Sequence, residues 1–242
     1  MPERIVVGSA GRAPGAVRGL PLSCGAVLIF VRHGECEANA DGVLVGRSDS
    51  SLTELGRWQA AAIGRSLARS IGPDPAIVRL LTSPLERALE TAGVVASVLN
   101  EAMGGSISPE LDDRLIELDY GRLEGTVVHR SPADTPAWVL DPTVPLPGGE
   151  PLSAVADRVS ALCRELSSSA SSGTTVLVTH VSPTKAAVSW ALGCDVTASW
   201  RMSLGLASVT RIDPKLDRPL LVSFNETWHV TGAPEILGLP GP

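Results

Sequence analysis

An α/β fold, a three-layer sandwich of helices on both faces of a mostly parallel central sheet, is predicted by three observations on this 242-residue sequence. Short β-branched apolar runs occur at 26–31, 77–81 and 174–179. A longer stretch of helical character follows each of them. Each run also ends abruptly in polar residues: Arg32-His33-Gly34-Glu35, Thr82-Ser83 and Thr179-His180. Strands that alternate with helices pack as layers, and ligands of such sheets gather at the carboxyl ends of the strands.

Ala26-Val27-Leu28-Ile29-Phe30-Val31 has the length and composition of a buried strand. Thr53 is a suitable N-cap for an Ala-rich helix running from Glu54 to about Ser70. Gly72-Pro73-Asp74-Pro75 ends it. Ile77–Leu81 is a second strand. Ser83 as cap and Pro84 at the first helical position start a helix that reaches about Asn100. Residues 126–151 carry six prolines and form a long irregular segment with a short helix near Trp138. Segments of this kind inside compact domains are often lids or binding loops. Leu152–Ser167 is a helix, Thr174–Thr179 a buried strand, and Pro183–Leu192 a helix stopped by Gly193. Val209–Ile212 and Leu220–Phe224 close the sheet.

Composition narrows the function. Hydrophobic residues make up 44% and charged residues 19%, a balance that suits a globular domain and excludes a mostly disordered chain. The net charge of −6 argues against a general nucleic-acid-binding surface. No apolar run is long enough to span a bilayer. Cys24, Cys36, Cys163 and Cys194 are widely spaced, with no CxxC pair, so a reduced, cytoplasmic protein is expected. Residues 1–25 are Gly-, Pro- and Arg-rich without the apolar core of a signal peptide. They are expected to be a flexible N-terminal extension, or the result of a start codon placed too early. One domain is then expected over 26–236, with a lid at about 126–151 and a loose tail over 237–242.

Two of the four histidines, His33 and His180, directly follow buried strands. Arg32 precedes the first, and Arg87 lies one helical turn into the second α element. If the strand ends face one crevice, two imidazoles and two guanidiniums converge. Guanidinium forks match phosphoryl oxygens, and an imidazole nitrogen can attack phosphorus and carry the group covalently. The leaving alkoxide needs a proton, for which Glu35, Glu117, Asp119 and Glu124 are the candidates. Glu117 lies among apolar residues, where burial near a dianionic phosphate raises a carboxyl pKa. Gly34 would let the backbone approach the anion closely. The bland alternative for Arg87 is an intrahelical pair with Glu86 or Glu90.

Leu28–Glu35 with Asn39, Gly46-Arg47-Ser48-Asp49, Leu52–Ala60, Ser83–Ala92, Glu117 with Tyr120-Gly121 and Glu124-Gly125, Gly148-Gly149-Glu150, and Val176–His180 together resemble the histidine phosphatase superfamily, of phosphoglycerate-mutase-like fold. The likeness spans about residues 26–230 in the right order. It implies that His33 is the nucleophile, that Arg32, Arg87 and His180 hold the phosphoryl oxygens, and that Glu117 is the general acid and base. It further implies that Asn39 contacts phosphate or orients the loop near His33, that Arg47 borders the substrate, and that the backbone of Val181 contributes to the pocket. Val181 stands where many members have Gly. The resemblance implies no metal and no other cofactor, a small phosphorylated substrate as partner, and leaves a homodimer open. Mutases of the family carry a Lys- and Arg-rich insert, whereas residues 126–151 contain no Lys and only Arg130. The pattern therefore favours a phosphatase, similar to the α-ribazole phosphatase-like and broad-specificity acid phosphatase branch. A mutase and a non-catalytic phospho-ligand-binding member are the alternatives. A serine hydrolase built on Ser83 or Ser182 is disfavoured, since neither lies in Gly-x-Ser-x-Gly.

Overall fold

A computed structural model describes residues 27–71, 77–127, 136–168, 173–214 and 218–231. The expected extension over 1–25 and tail over 237–242, with residues 128–135 of the lid, lie outside them. The strands are β1 (Val27–Arg32), β2 (Ile77–Thr82), β3 (Pro109–Leu111), β4 (Thr174–Thr179), β5 (Val209–Asp213) and β6 (Leu220–Glu226). The helices are α1 (Glu37–Ala40), α2 (Glu54–Ile71), α3 (Glu86–Met103), α4 (Ala137–Leu140), α5 (Leu152–Ser168) and α6 (Val181–Leu192).

One six-stranded sheet has the order β3-β2-β4-β1-β5-β6. The first four of these strands are mutually parallel; β5 runs antiparallel to β1, and β6 antiparallel to β5. Alternation along β1 explains the layers, because successive side chains leave opposite faces of a strand. Val27, Ile29 and Val31 pack with Ile63 and Leu67 of α2 and Val95 and Leu99 of α3. Leu28 and Phe30 face the other way, against Val155 and Leu162 of α5 and Ala187 of α6. These five apolar side chains of β1 are buried, which stabilises the fold by roughly 1.5–3 kcal/mol each.

Most elements fall where the sequence puts them, and three differences have physical causes. Helix α3 starts at Glu86 rather than Pro84. The Ser83 hydroxyl accepts from the Leu85 N–H (3.3 Å) and faces His180 instead of capping. Asp49, from a distant loop, takes the Glu86 N–H (3.1 Å). Helix α6 starts two residues early, at Val181. Pro183 is tolerated in the first turn because N–H groups there have no intrahelical partner to lose. The short edge strand β3, opened by Pro109, was not expected; proline is admitted at strand starts and edges. Thr53 does cap α2, accepting from the Gly56 N–H at 3.0 Å.

Parallel register sets up the site. β1 and β4 pair Arg32 with Thr179, so His33 and His180 emerge side by side. β2 and β4 pair Thr82 with Val178, so Ser83 arrives next to the same point.

Candidate active site

His33 is buried at the end of β1. Its Nδ1 lies 2.7 Å from the Gly34 carbonyl oxygen. A carbonyl only accepts, so Nδ1 carries the proton and Nε2 keeps its lone pair. Burial first, then the charges of Arg32 and Arg87, push His33 well below the ordinary histidine range. The ring is therefore neutral near pH 7, the state in which an imidazole is a nucleophile. His33 is fixed by its backbone as well, donating to Thr179 O and accepting from the Ala207 N–H.

His180 is fully buried, with its ring centroid 5.1 Å from that of His33. Burial, followed by Arg87, His33 and Arg32, pushes it well down too. Its Nε2 lies 2.8 Å from Ser83 Oγ. Its Nδ1 is buried without a hydrogen-bond partner.

Arg32 donates to Leu204 O at 2.6 Å, and Arg87 to Gly46 O at 2.6 Å and Ser48 O at 2.9 Å. The Nε atoms of both are buried and unpartnered. Arg87 makes no pair with Glu86 or Glu90. Those carboxylates serve Ser51, and Leu52 and Arg57. Burial lowers both guanidinium pKa values, and Glu117 is the largest opposing charge for each.

Of the four candidate carboxylates, only Glu117 is buried beside these groups. It accepts from the N–H groups of Leu118 (2.7 Å), Val181 (3.0 Å) and Ser182 (3.1 Å), the last two at the start of α6. Helix starts favour a negative partner, since their N–H groups point outward. Glu35 instead takes the Thr53 hydroxyl at 2.8 Å. Asp119 caps Gly121. Glu124 clamps the Gly46–Ser48 loop through its N–H groups and the Ser48 hydroxyl.

The remaining expectations divide. Asn39 Oδ1 accepts from the Cys36 N–H (3.3 Å) and Sγ (3.0 Å), a contact that orients the loop after His33. Arg47 sits at the rim, paired with Glu150 (3.0 Å) and farther from Asp119 (3.8 Å). The Val181 N–H is directed to Glu117. Gly34 has a packing role: a Cβ there would run into the Gly56 carbonyl, so the loop lies directly on the first turn of α2. Its N–H is held by Thr91 Oγ1.

Sequence reading missed several supports. Ser83 faces His180, Tyr120 lies 3.3 Å from Ser182 Oγ, and Leu204 O holds Arg32. Arg158 grips the Ile116 and Glu117 carbonyls while paired with Glu150. Only Ser83 had a local signal, its place directly after a buried strand.

The histidine phosphatase superfamily (branch 1) family model matches residues 28–227. The chain belongs to the histidine phosphatase superfamily. It is thus a histidine phosphatase-class enzyme with the phosphoglycerate-mutase-like fold. Phosphoserine phosphatase 1 of Hydrogenobacter thermophilus is 31% identical over 208 residues, covering 84% of this chain and 93% of that protein. The structure resembles phosphoserine phosphatase from Entamoeba histolytica in complex with 3-phosphoglyceric acid, with TM-score 0.71 and 25% identity over 85% of this chain and 99% of that one. It also resembles mycobacterial glucosyl-3-phosphoglycerate phosphatase, with TM-score 0.67 and 28% identity over 83% and 99%. A bifunctional protein of Mycobacterium tuberculosis is 31% identical over 215 residues, but the chain spans only 55% of its length. Among the described residues, no helix is long and apolar enough to cross a membrane.

Proposed function

We propose that the chain hydrolyses a small phosphorylated metabolite through a phosphohistidine on His33. The observation that carries this reading is a set of buried, unpartnered side-chain nitrogens in the neighbourhood of His33. Arg32 Nε, Arg87 Nε and His180 Nδ1 are buried without partners, and the charges of both arginines are felt at both imidazoles. Unpaired buried polar groups are costly, so such a set calls for an explanation. A phosphoryl group supplies acceptor oxygens for every one of them.

In this mechanism His33 Nε2 forms a bond to phosphorus as the bond to the ester oxygen breaks. The guanidiniums stabilise the charge on the equatorial oxygens. Glu117, protonated at that stage, gives its proton to the departing alkoxide. The resulting carboxylate then takes a proton from water as that water attacks phosphorus, which releases phosphate and returns neutral His33. Water as acceptor is supported by the lid composition, which has no Lys and only Arg130 where a mutase insert is rich in both. The small phosphomonoesters named for the relatives, phosphoserine and glucosyl-3-phosphoglycerate, join α-ribazole 5′-phosphate and sugar phosphates as candidate substrates.

The test is phosphate release by the full chain, with EDTA present, from these esters, phosphoglycerates, nucleotides and p-nitrophenyl phosphate, beside the His33→Ala variant. Release that disappears in a folded His33→Ala protein is expected. Undiminished release by that variant rejects the phosphohistidine route, and no release from any ester by the native chain rejects the hydrolase.

A further inference from the structure

The Ser83 hydroxyl has an arrangement that a helix-cap role does not require. Its oxygen accepts from the Leu85 N–H at 3.3 Å and lies 2.8 Å from His180 Nε2. A serine hydroxyl offers one proton and two lone pairs. With Leu85 on one lone pair, the proton is free to be donated, and His180 Nε2 is the acceptor in reach. The converse assignment puts the proton on Nε2 and donates it to Ser83. The Ser83 proton then has no acceptor among the contacts of the described residues. It also leaves His180 Nδ1 as a bare lone pair in a pocket built for anions. Counting donors and acceptors favours the first arrangement, in which each group at Ser83 is used once.

We propose that Ser83 is a positioning residue. By donating to His180 Nε2, it holds the neutral imidazole in the tautomer whose Nδ1–H is presented to the phosphoryl oxygens. This inference rests on the phosphatase reading for its consequence, but its geometry stands apart from it. Register supports the arrangement, because Ser83 and His180 each follow the last residues of neighbouring parallel strands. Burial supports it as well, since both residues are fully enclosed and a rotated ring would find no water to replace the serine. Neutral His180 needs such a device, because its two tautomers differ in whether a donor or a lone pair faces the substrate.

The experiment reads the tautomer directly, from ring nitrogen shifts of ¹⁵N-histidine-labelled full-length protein, with His180 assigned through a His180→Gln variant. Native protein is expected to show Nδ1 protonated and Nε2 bare between pH 6 and 8. Ser83→Ala should give a tautomer mixture, and Ser83→Thr should restore the native pattern. In kinetics with p-nitrophenyl phosphate, Ser83→Ala should lower kcat about ten-fold, less than the about 10²–10³ of a donor lost outright because part of the tautomer mixture keeps the contact. Its activity relative to native should climb as pH falls, because protonated His180 regains Nδ1–H. Arg87 on α3, Arg32 at the end of β1, His33 directly after it, and Arg158 on α5 face His180. Among these His33 is the only other imidazole, pushed below the ordinary histidine range by burial, and it is common to both proteins, so their ratio isolates His180. A native His180 protonated at Nε2 overturns the proposal even if Ser83→Ala fails to fold. An unchanged tautomer in folded Ser83→Ala does so too. If the native chain releases no phosphate, the phosphatase reading falls while the spectrum still decides the tautomer.

Discussion

Arg87 and Arg114 are two well-held arginines in opposite settings. Arg114 lies at the surface, forked onto Asp112 and reaching Glu165 at 2.6 Å. Hydrogen bonds donated to those two carboxylates push its pKa up. Arg87 is fully buried and is gripped by two neutral backbone carbonyls, Gly46 and Ser48. Carboxylate partners cancel a guanidinium's charge, whereas carbonyl partners orient it and leave the charge available. Arg32 repeats the second pattern through Leu204 O. The site thus accumulates positive potential where the surface neutralises it, which costs desolvation and makes sense only where an anion is to be bound.

Removing Arg87 should therefore have the largest effect of the pair. Arg87→Ala is expected to lower kcat/KM by about 10²–10³ and, because the Gly46 and Ser48 carbonyls lose their donors, to lower Tm in a calorimetric scan. Activity within a few-fold of native would show that the buried charge is structural.

Glu117→Gln sharpens the picture from the negative side. It is expected to slow an alkyl phosphate by about 10²–10⁴ and p-nitrophenyl phosphate much less, since that leaving group hardly needs a proton. Steady-state rates on the two esters give the comparison directly. Equal slowing of both would move the acid role to another carboxylate, with Glu35 next in line.

A smaller effect follows from the buried imidazoles. His33 and His180 have folded pKa values well below the unfolded value of about 6.5. Between the folded and unfolded values the unfolded chain binds more protons, so stability rises with pH in that window and levels off above it. Melting temperature should fall as pH drops below about 6.5, with a shallower slope in His180→Gln. A slope unchanged by that substitution would locate the acid sensitivity elsewhere.

Arg114→Ala should do least. The pair is partly exposed and screened by solvent, so about 0–1 kcal/mol of stability is expected in urea unfolding, with kcat/KM intact. A loss of activity there would contradict the contrast from which these expectations start.

The parts of the fold and site that could be read in advance share a property. β1, β4 and α2 are specified by local pattern: buried β-branched runs in the strands, and a Thr cap ahead of an Ala-rich amphipathic stretch in the helix. His33, His180, Arg32 and Arg87 were legible because parallel strands in one sheet must end on the same side. What escaped was fixed by distant partners. The start of α3 depends on Asp49, thirty-seven residues away in sequence. The discrimination among four carboxylates depends on which one meets the first turn of α6, sixty-four residues beyond Glu117. For Gly34 the sequence suggests an approach to an anion, and the structure adds a close approach to the Gly56 carbonyl.

The sequence alone therefore determined the layered α/β architecture, the superfamily, and the residue types of a phosphoryl pocket, because strand and helix periodicities and residue chemistry are local properties. Tertiary structure alone decided three further things. Nδ1 of His33 carries the proton, the guanidiniums hang on carbonyls rather than carboxylates, and Glu117 is the carboxylate enclosed beside them. The last two are matters of distance and burial between segments far apart in the chain; the first has its acceptor on the next residue, Gly34, but depends on the ring being folded onto that carbonyl, which no sequence pattern encodes.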